Sequence, residues 1–153
     1  MRQRRRQRRP LREGRVRLHP AVAVAGPHHL ALDETDVLDP PRVELADVPF
    51  FAQDEYECGP AALAMALSAS GIHVTLDEMV GQVYLPGRKG SLQVEMLAAA
   101  RRHGAISFQL APRLEDLLRE IAVGDPVIVL QNLGVWPFDV WHYAVAVGYD
   151  LDE

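Results

Sequence analysis

A single cysteine stands at Cys58, followed by Gly59-Pro60 and an alanine-rich apolar run through Met65. This is the pattern of a thiol in the first turn of a buried helix, where proline is tolerated because the first N–H groups lack an intrahelical acceptor. Those N–H groups and the positive end of the helix dipole favour thiolate over thiol. A thiol so placed is either a small buried hydrophobe or a nucleophile. Nucleophilic thiol chemistry also needs a base to take and return a proton, and donors for the developing oxyanion. His142 is the best base: it opens the apolar stretch 141–149 between Trp141 and Tyr143, a setting that suits an imidazole at the mouth of a cleft. Gln53, just upstream of the helix, can aim its amide N–H2 at the place reached by the Cys58 N–H. Together these two donors would form an oxyanion hole.

The elements that must position these residues follow from patterning. Residues 58–70 read as a helix buried almost all round, ended by Gly71. Thr75-Leu76-Asp77-Glu78 is a capping box, with Thr75 as cap and Glu78 reaching back, so a short helix runs to about Val83. After the turn-rich loop 85–90, Ser91 is expected to cap a third helix that closes at His103-Gly104, with Leu92, Met96, Leu97 and Ala100 on one face. Residues 106–110 alternate as a strand with one buried face. Leu114, Leu117, Leu118 and Ile121 mark a fourth helix ending near Gly124. Residues 126–131 form a β-branched run expected as a central strand, and 141–149 a second buried strand. Helices first and strands later imply an α+β fold, a helical half packed on a C-terminal antiparallel sheet.

Singly, Cys58, His142 and Gln53 each have an ordinary structural explanation. Their joint order, Gln, then Cys at a helix start, then His on a late strand, resembles the papain-like cysteine peptidases. Within them the chain is most similar to the bacteriocin-processing, double-glycine-leader peptidases, family 39 of the cysteine peptidases. The resembling blocks are Gln53…Cys58-Gly59-Pro60-Ala61-Ala62-Leu63-Ala64-Met65, Gly90-Ser91-Leu92…Leu97…Ala100…Gly104, Pro126-Val127-Ile128-Val129-Leu130, and His142-Tyr143-Ala144-Val145-Ala146-Val147-Gly148-Tyr149-Asp150. They cover residues 48–153.

The resemblance implies a papain-like fold with Cys58 as nucleophile, His142 as general base and Gln53 as oxyanion donor. The reaction it implies is peptide-bond hydrolysis, commonly after a Gly-Gly pair that ends a leader, with no metal or small cofactor. The substrate is then a peptide or protein, and an exporter or envelope complex is the implied partner. The interval from Gln53 to Cys58 is one residue shorter than in the transporter-linked members. The family's residue orienting the histidine lies on the strand after it, and the chain stops at Glu153 before that strand is expected to form. The C-terminal strands are therefore expected to be missing, and Asp150 and Asp152 to be solvated carboxylates in the turn after the His strand. The alternative is a catalytically weak or inactive domain of the same fold that binds a peptide in the same cleft.

The chain's 153 residues, 48% hydrophobic and 24% charged, suit one ordinary domain. A single cysteine excludes an internal disulfide and a cysteine-only metal site. No apolar run approaches the roughly 18 residues of a membrane helix, so the expectation is a soluble domain of the cytoplasm or cell envelope. Within the net charge of −5, residues 1–17 carry nine arginines against the one glutamate Glu13. The acidic remainder argues against specific nucleic-acid binding, which would have to run through the arginine tail alone. Residues 1–42 are expected as a disordered tail and Pro-rich linker, with the ordered domain from Val43. The run 20–26 is too short for the apolar region of a signal peptide, for which about 7–15 residues are expected. His28-His29 lacks a third ligand at a metal-site spacing. The loop carrying Trp136, Pro137 and Phe138 hints at an apolar-lined groove.

Overall fold

The computed structural model describes residues 21–25, 41–135 and 137–152. In chain order the elements are β1 (Val22–Ala25), β2 (Arg42–Glu44), α1 (Cys58–Ala69), α2 (Leu76–Val83), α3 (Gln93–Arg102), β3 (Ile106–Gln109), α4 (Leu114–Ala122), β4 (Val127–Asn132), β5 (Trp141–Ala146) and β6 (Gly148–Asp150). The fold is α+β. A four-stranded antiparallel sheet has the order β3-β1-β4-β5, and β2 pairs with β6 in a second, two-stranded ladder.

Strand alternation divides the core. Val22 and Val24 of β1, Ile128 of β4 and Tyr143 of β5 pack with Leu63, Leu67, Met79 and Met96 of the first three helices. The opposite set, Ala21, Ala23 and Val127, packs with Leu117, Leu118 and Ile121 of α4. Burying each valine or isoleucine contributes roughly 1.5–3 kcal/mol. The alanines of α1 carry little bulk, so this helix sits close to the sheet with residues 59–64 buried.

Four local expectations change in the structure. The segment expected as tail and linker supplies Val22–Ala25 to the middle of the sheet, every residue fully buried. A four-residue apolar run gives no periodicity of its own, and its partners lie on β3 and β4, far along the chain. The rest of 1–40 lies outside the described residues. Second, the single strand expected over 141–149 breaks at Val147, where the chain changes partner from β4 to β2. Gly148 permits that change, because a Cβ there would stand 2.5 Å from the Val43 carbonyl oxygen. Third, Ser91 does not cap α3; the cap position is Leu92, with no side-chain hydrogen bond. Fourth, β3 buries Ser107, whose hydroxyl donates to the Leu97 carbonyl at 3.0 Å, and leaves Ile106 exposed.

The Thr75 cap forms as expected, its hydroxyl accepting from the Glu78 N–H at 3.2 Å. The Glu78 carboxylate, expected to reach back, lies 3.7 Å from His103 Nε2 at the end of α3.

Candidate active site

Cys58 is the first residue of α1 and is half-buried. Glu57 occupies the cap position with no side-chain hydrogen bond, so the first-turn N–H groups of the helix, that of Cys58 included, have no intrahelical acceptor. The backbone N–H of Tyr143 donates to the Cys58 sulfur at 3.5 Å, which joins the start of α1 to β5. Gly59 lets the same turn press on the segment before α3: a Cβ on it would meet Ser91 Oγ at 2.5 Å and Ser91 Cβ at 2.6 Å. The Tyr143 hydroxyl completes the triangle by donating to the Ser91 carbonyl at 3.3 Å. Burial first, and then the nearby Cys58, push the Tyr143 phenol up to about 12.

Gln53, Cys58 and His142 line one cavity of about 370 Å³, whose remaining wall is largely apolar, with Val48, Phe50, Phe51, Met65 and Val145. The same three residues line a second recess of about 320 Å³ together with Asp54, Glu55 and Trp141. A third cavity, of about 440 Å³, adjoins Cys58 without Gln53 or His142. The cysteine therefore sits where three recesses meet.

Each residue arrives by a different route. Cys58 comes on the helix, and Gln53 on the irregular segment 45–57 between β2 and α1. His142 comes on β5, which stands at an end of the four-stranded sheet. Register pairs His142 with Gln131, on the alternating set of Ala144 and Ala146, whereas Tyr143 and Val145 turn toward α1. Edge position lets His142 line the thiol's cavity from this set. The approach to β5 is set by Asn132: its side-chain oxygen accepts from the N–H groups of Gly134 at 2.9 Å and Val140 at 3.0 Å, and its amide donates to Asp139.

The expectation for Asp150 changes. It lies in β6 rather than in a turn, 3.5 Å from Arg42 Nε, and its Oδ1 accepts from the Asp152 N–H at 3.0 Å. Neither carboxylate lines the cavity with His142. His28-His29 and Trp136 lie outside the described residues. Phe138 is exposed and does not line the thiol's cavities. Among the described residues no cluster of three His, Cys, Asp or Glu side chains is set to hold a metal ion, and no helix is long and apolar enough to cross a membrane.

Sequence reasoning missed Ser91 and Tyr56 as neighbours of the thiol. The signal for Ser91 was Gly59, the residue whose missing side chain lets Ser91 approach. Tyr56 carries a left-handed backbone (φ 71°) two residues before the cysteine, a conformation that a non-glycine residue seldom adopts.

A family model described as "Peptidase_C39 like family" matches residues 45–153, a span that holds Gln53, Cys58 and His142 and leaves out β1 and β2. Comparison with curated proteins finds no match, and neither does comparison with solved structures. Matched over well more than half of its length, the chain belongs to the Peptidase_C39-like family.

Proposed function

We propose that this chain is a cysteine-type peptidase of papain-like design that hydrolyses a peptide bond, in its specific form after a Gly-Gly pair closing a leader. The observation that carries the reading is the shared cavity: the thiol at the start of α1, the imidazole of β5 and the Gln53 amide line one cleft. In the proposed reaction Cys58 Sγ attacks the scissile carbonyl carbon while His142 takes the thiol proton. The oxygen, now negative, is met by the Cys58 N–H and the Gln53 amide. His142 then gives its proton to the departing amine, leaving a thioester on Cys58. Water attacks the thioester with His142 as base, releasing the acid and restoring the thiol. An exporter or envelope complex is the partner that would present such a leader.

A panel of internally quenched peptides carrying Gly-Gly tests this. Wild type is expected to cleave after the pair, and Cys58→Ala or His142→Ala to lose roughly 10³-fold or more in kcat. Failure of wild type to cleave any member would contradict the reading. One observation favours a second reading, a peptide-binding domain without turnover: Asp150, the acidic residue on the strand after His142, is engaged by Arg42. Binding of the same peptides without cleavage is its expected result.

A further inference from the structure

The cavity of about 440 Å³ beside Cys58 differs in chemistry from the other two. Arg88 and Lys89 line it, and no Asp or Glu does. Among the described residues neither cation is ion-paired. Both side chains are exposed, on a chain of net charge −5.

The basic turn is held firmly. Leu85 bridges to Gly90, the Leu85 N–H donates to the Gly90 carbonyl at 2.9 Å, and the Arg88 N–H to the Leu85 carbonyl at 2.9 Å. Lys89 Nζ stands 5.2 Å from the centre of the Tyr56 ring, within cation–π range. These two residues are also the non-glycine positions of left-handed backbone among the described residues, Tyr56 at φ 71° and Lys89 at φ 50°. Backbone in that region costs free energy and concentrates at functional sites. Here two such residues meet across the wall of one cavity. A firmly held, unpaired couple of cations fits a ligand carboxylate.

The position relative to the thiol fixes which part of a substrate enters. A base that protonates the departing amine must stand on the leaving-group side of the scissile bond. His142 lines the other two recesses and not this one, so the basic cavity lies on the acyl side. Resting on the peptidase reading, we infer that Arg88 and Lys89 form a specificity subsite for an Asp or Glu side chain shortly before the cleaved bond.

The test has two arms. Internally quenched peptides carry Asp, Glu, Asn, Gln or Lys at each of the two positions preceding Gly-Gly. Wild type is expected to show kcat/KM about tenfold higher for the acidic peptides than for their amide counterparts, a ratio that shrinks at high salt. In the double charge-reversal variant Arg88→Glu/Lys89→Glu the preference should invert toward Lys. In the second arm the same peptides are titrated against Cys58→Ala protein, where the acidic ones should bind about tenfold tighter. Cleavage indifferent to charge, or a cleavage preference unmoved by the reversal, would overturn the subsite and leave the peptidase reading standing, and binding indifferent to charge would likewise overturn the subsite. Charge-selective binding to Cys58→Ala protein, with no turnover by wild type, would support the subsite and overturn hydrolysis alone.

Discussion

The Tyr143 backbone N–H donates to the Cys58 sulfur at 3.5 Å, so the residue beside His142 ties the thiol's helix to the histidine's strand. Its phenol is bound into the same contact through Ser91. Burial, with Cys58 as the lesser cause, moves that phenol from the ordinary 10.0 to about 12. Between these values the folded protein keeps a proton that the unfolded chain has released, so the stabilising effect is whole below pH 10 and is lost as pH rises through 12. Absorbance titration at 295 nm should show one tyrosine ionising last, a step missing in Tyr143→Phe. The urea midpoint of that variant should depend less on pH in this window.

Gly59 is the contact point between α1 and the segment before α3. Gly59→Ala puts a methyl group 2.5 Å from Ser91 Oγ and 2.6 Å from Ser91 Cβ, and the helix must shift at a cost of about 1–3 kcal/mol. Ser91→Gly in the same chain should restore most of the lost stability, whereas Ser91→Ala, which keeps the Cβ, should not. A double-mutant cycle from urea unfolding reads the coupling directly.

β1 is structural. Val24 is fully buried between β3 and the helices, so Val24→Asp places a carboxylate where nothing solvates it. The expected loss is about 3 kcal/mol or more, read as a fall in the urea midpoint. A midpoint equal to wild type would show that β1 does not hold the sheet together.

How far the sequence discloses this architecture depends on how local each signal is. Cys58-Gly59-Pro60 and the alanines that follow mark α1 by themselves, and Thr75 marks the start of α2 through its own hydroxyl. The β-branched run of β4 and the apolar stretch behind His142 are equally self-contained. β1 is hidden because four apolar residues acquire meaning only from strands 80 or more residues away. Ser91 has the side chain of a helix cap, but it packs on Gly59 and gives its carbonyl to Tyr143. The break at Val147 depends on β2, a three-residue strand. Within the site, the sequence disclosed the residues of the proposed chemistry, but not the basic cavity, which takes its walls from four separate segments.

Gln53 is exposed and touches no core cluster, so its removal should act on rate alone. Gln53→Ala is expected to lower kcat roughly 10²–10³-fold with KM nearly unchanged, as loss of one oxyanion donor does, while the urea midpoint stays at the wild-type value. A raised KM with kcat intact would instead assign Gln53 to substrate binding.

The central claim is that Cys58 and His142 act as one unit, and the rate at which iodoacetamide alkylates Cys58 at neutral pH tests it most directly. In wild type the protein thiol should react at least about tenfold faster than free cysteine, and His142→Ala should bring it back to the free rate. Equal alkylation rates in wild type and His142→Ala would contradict the account.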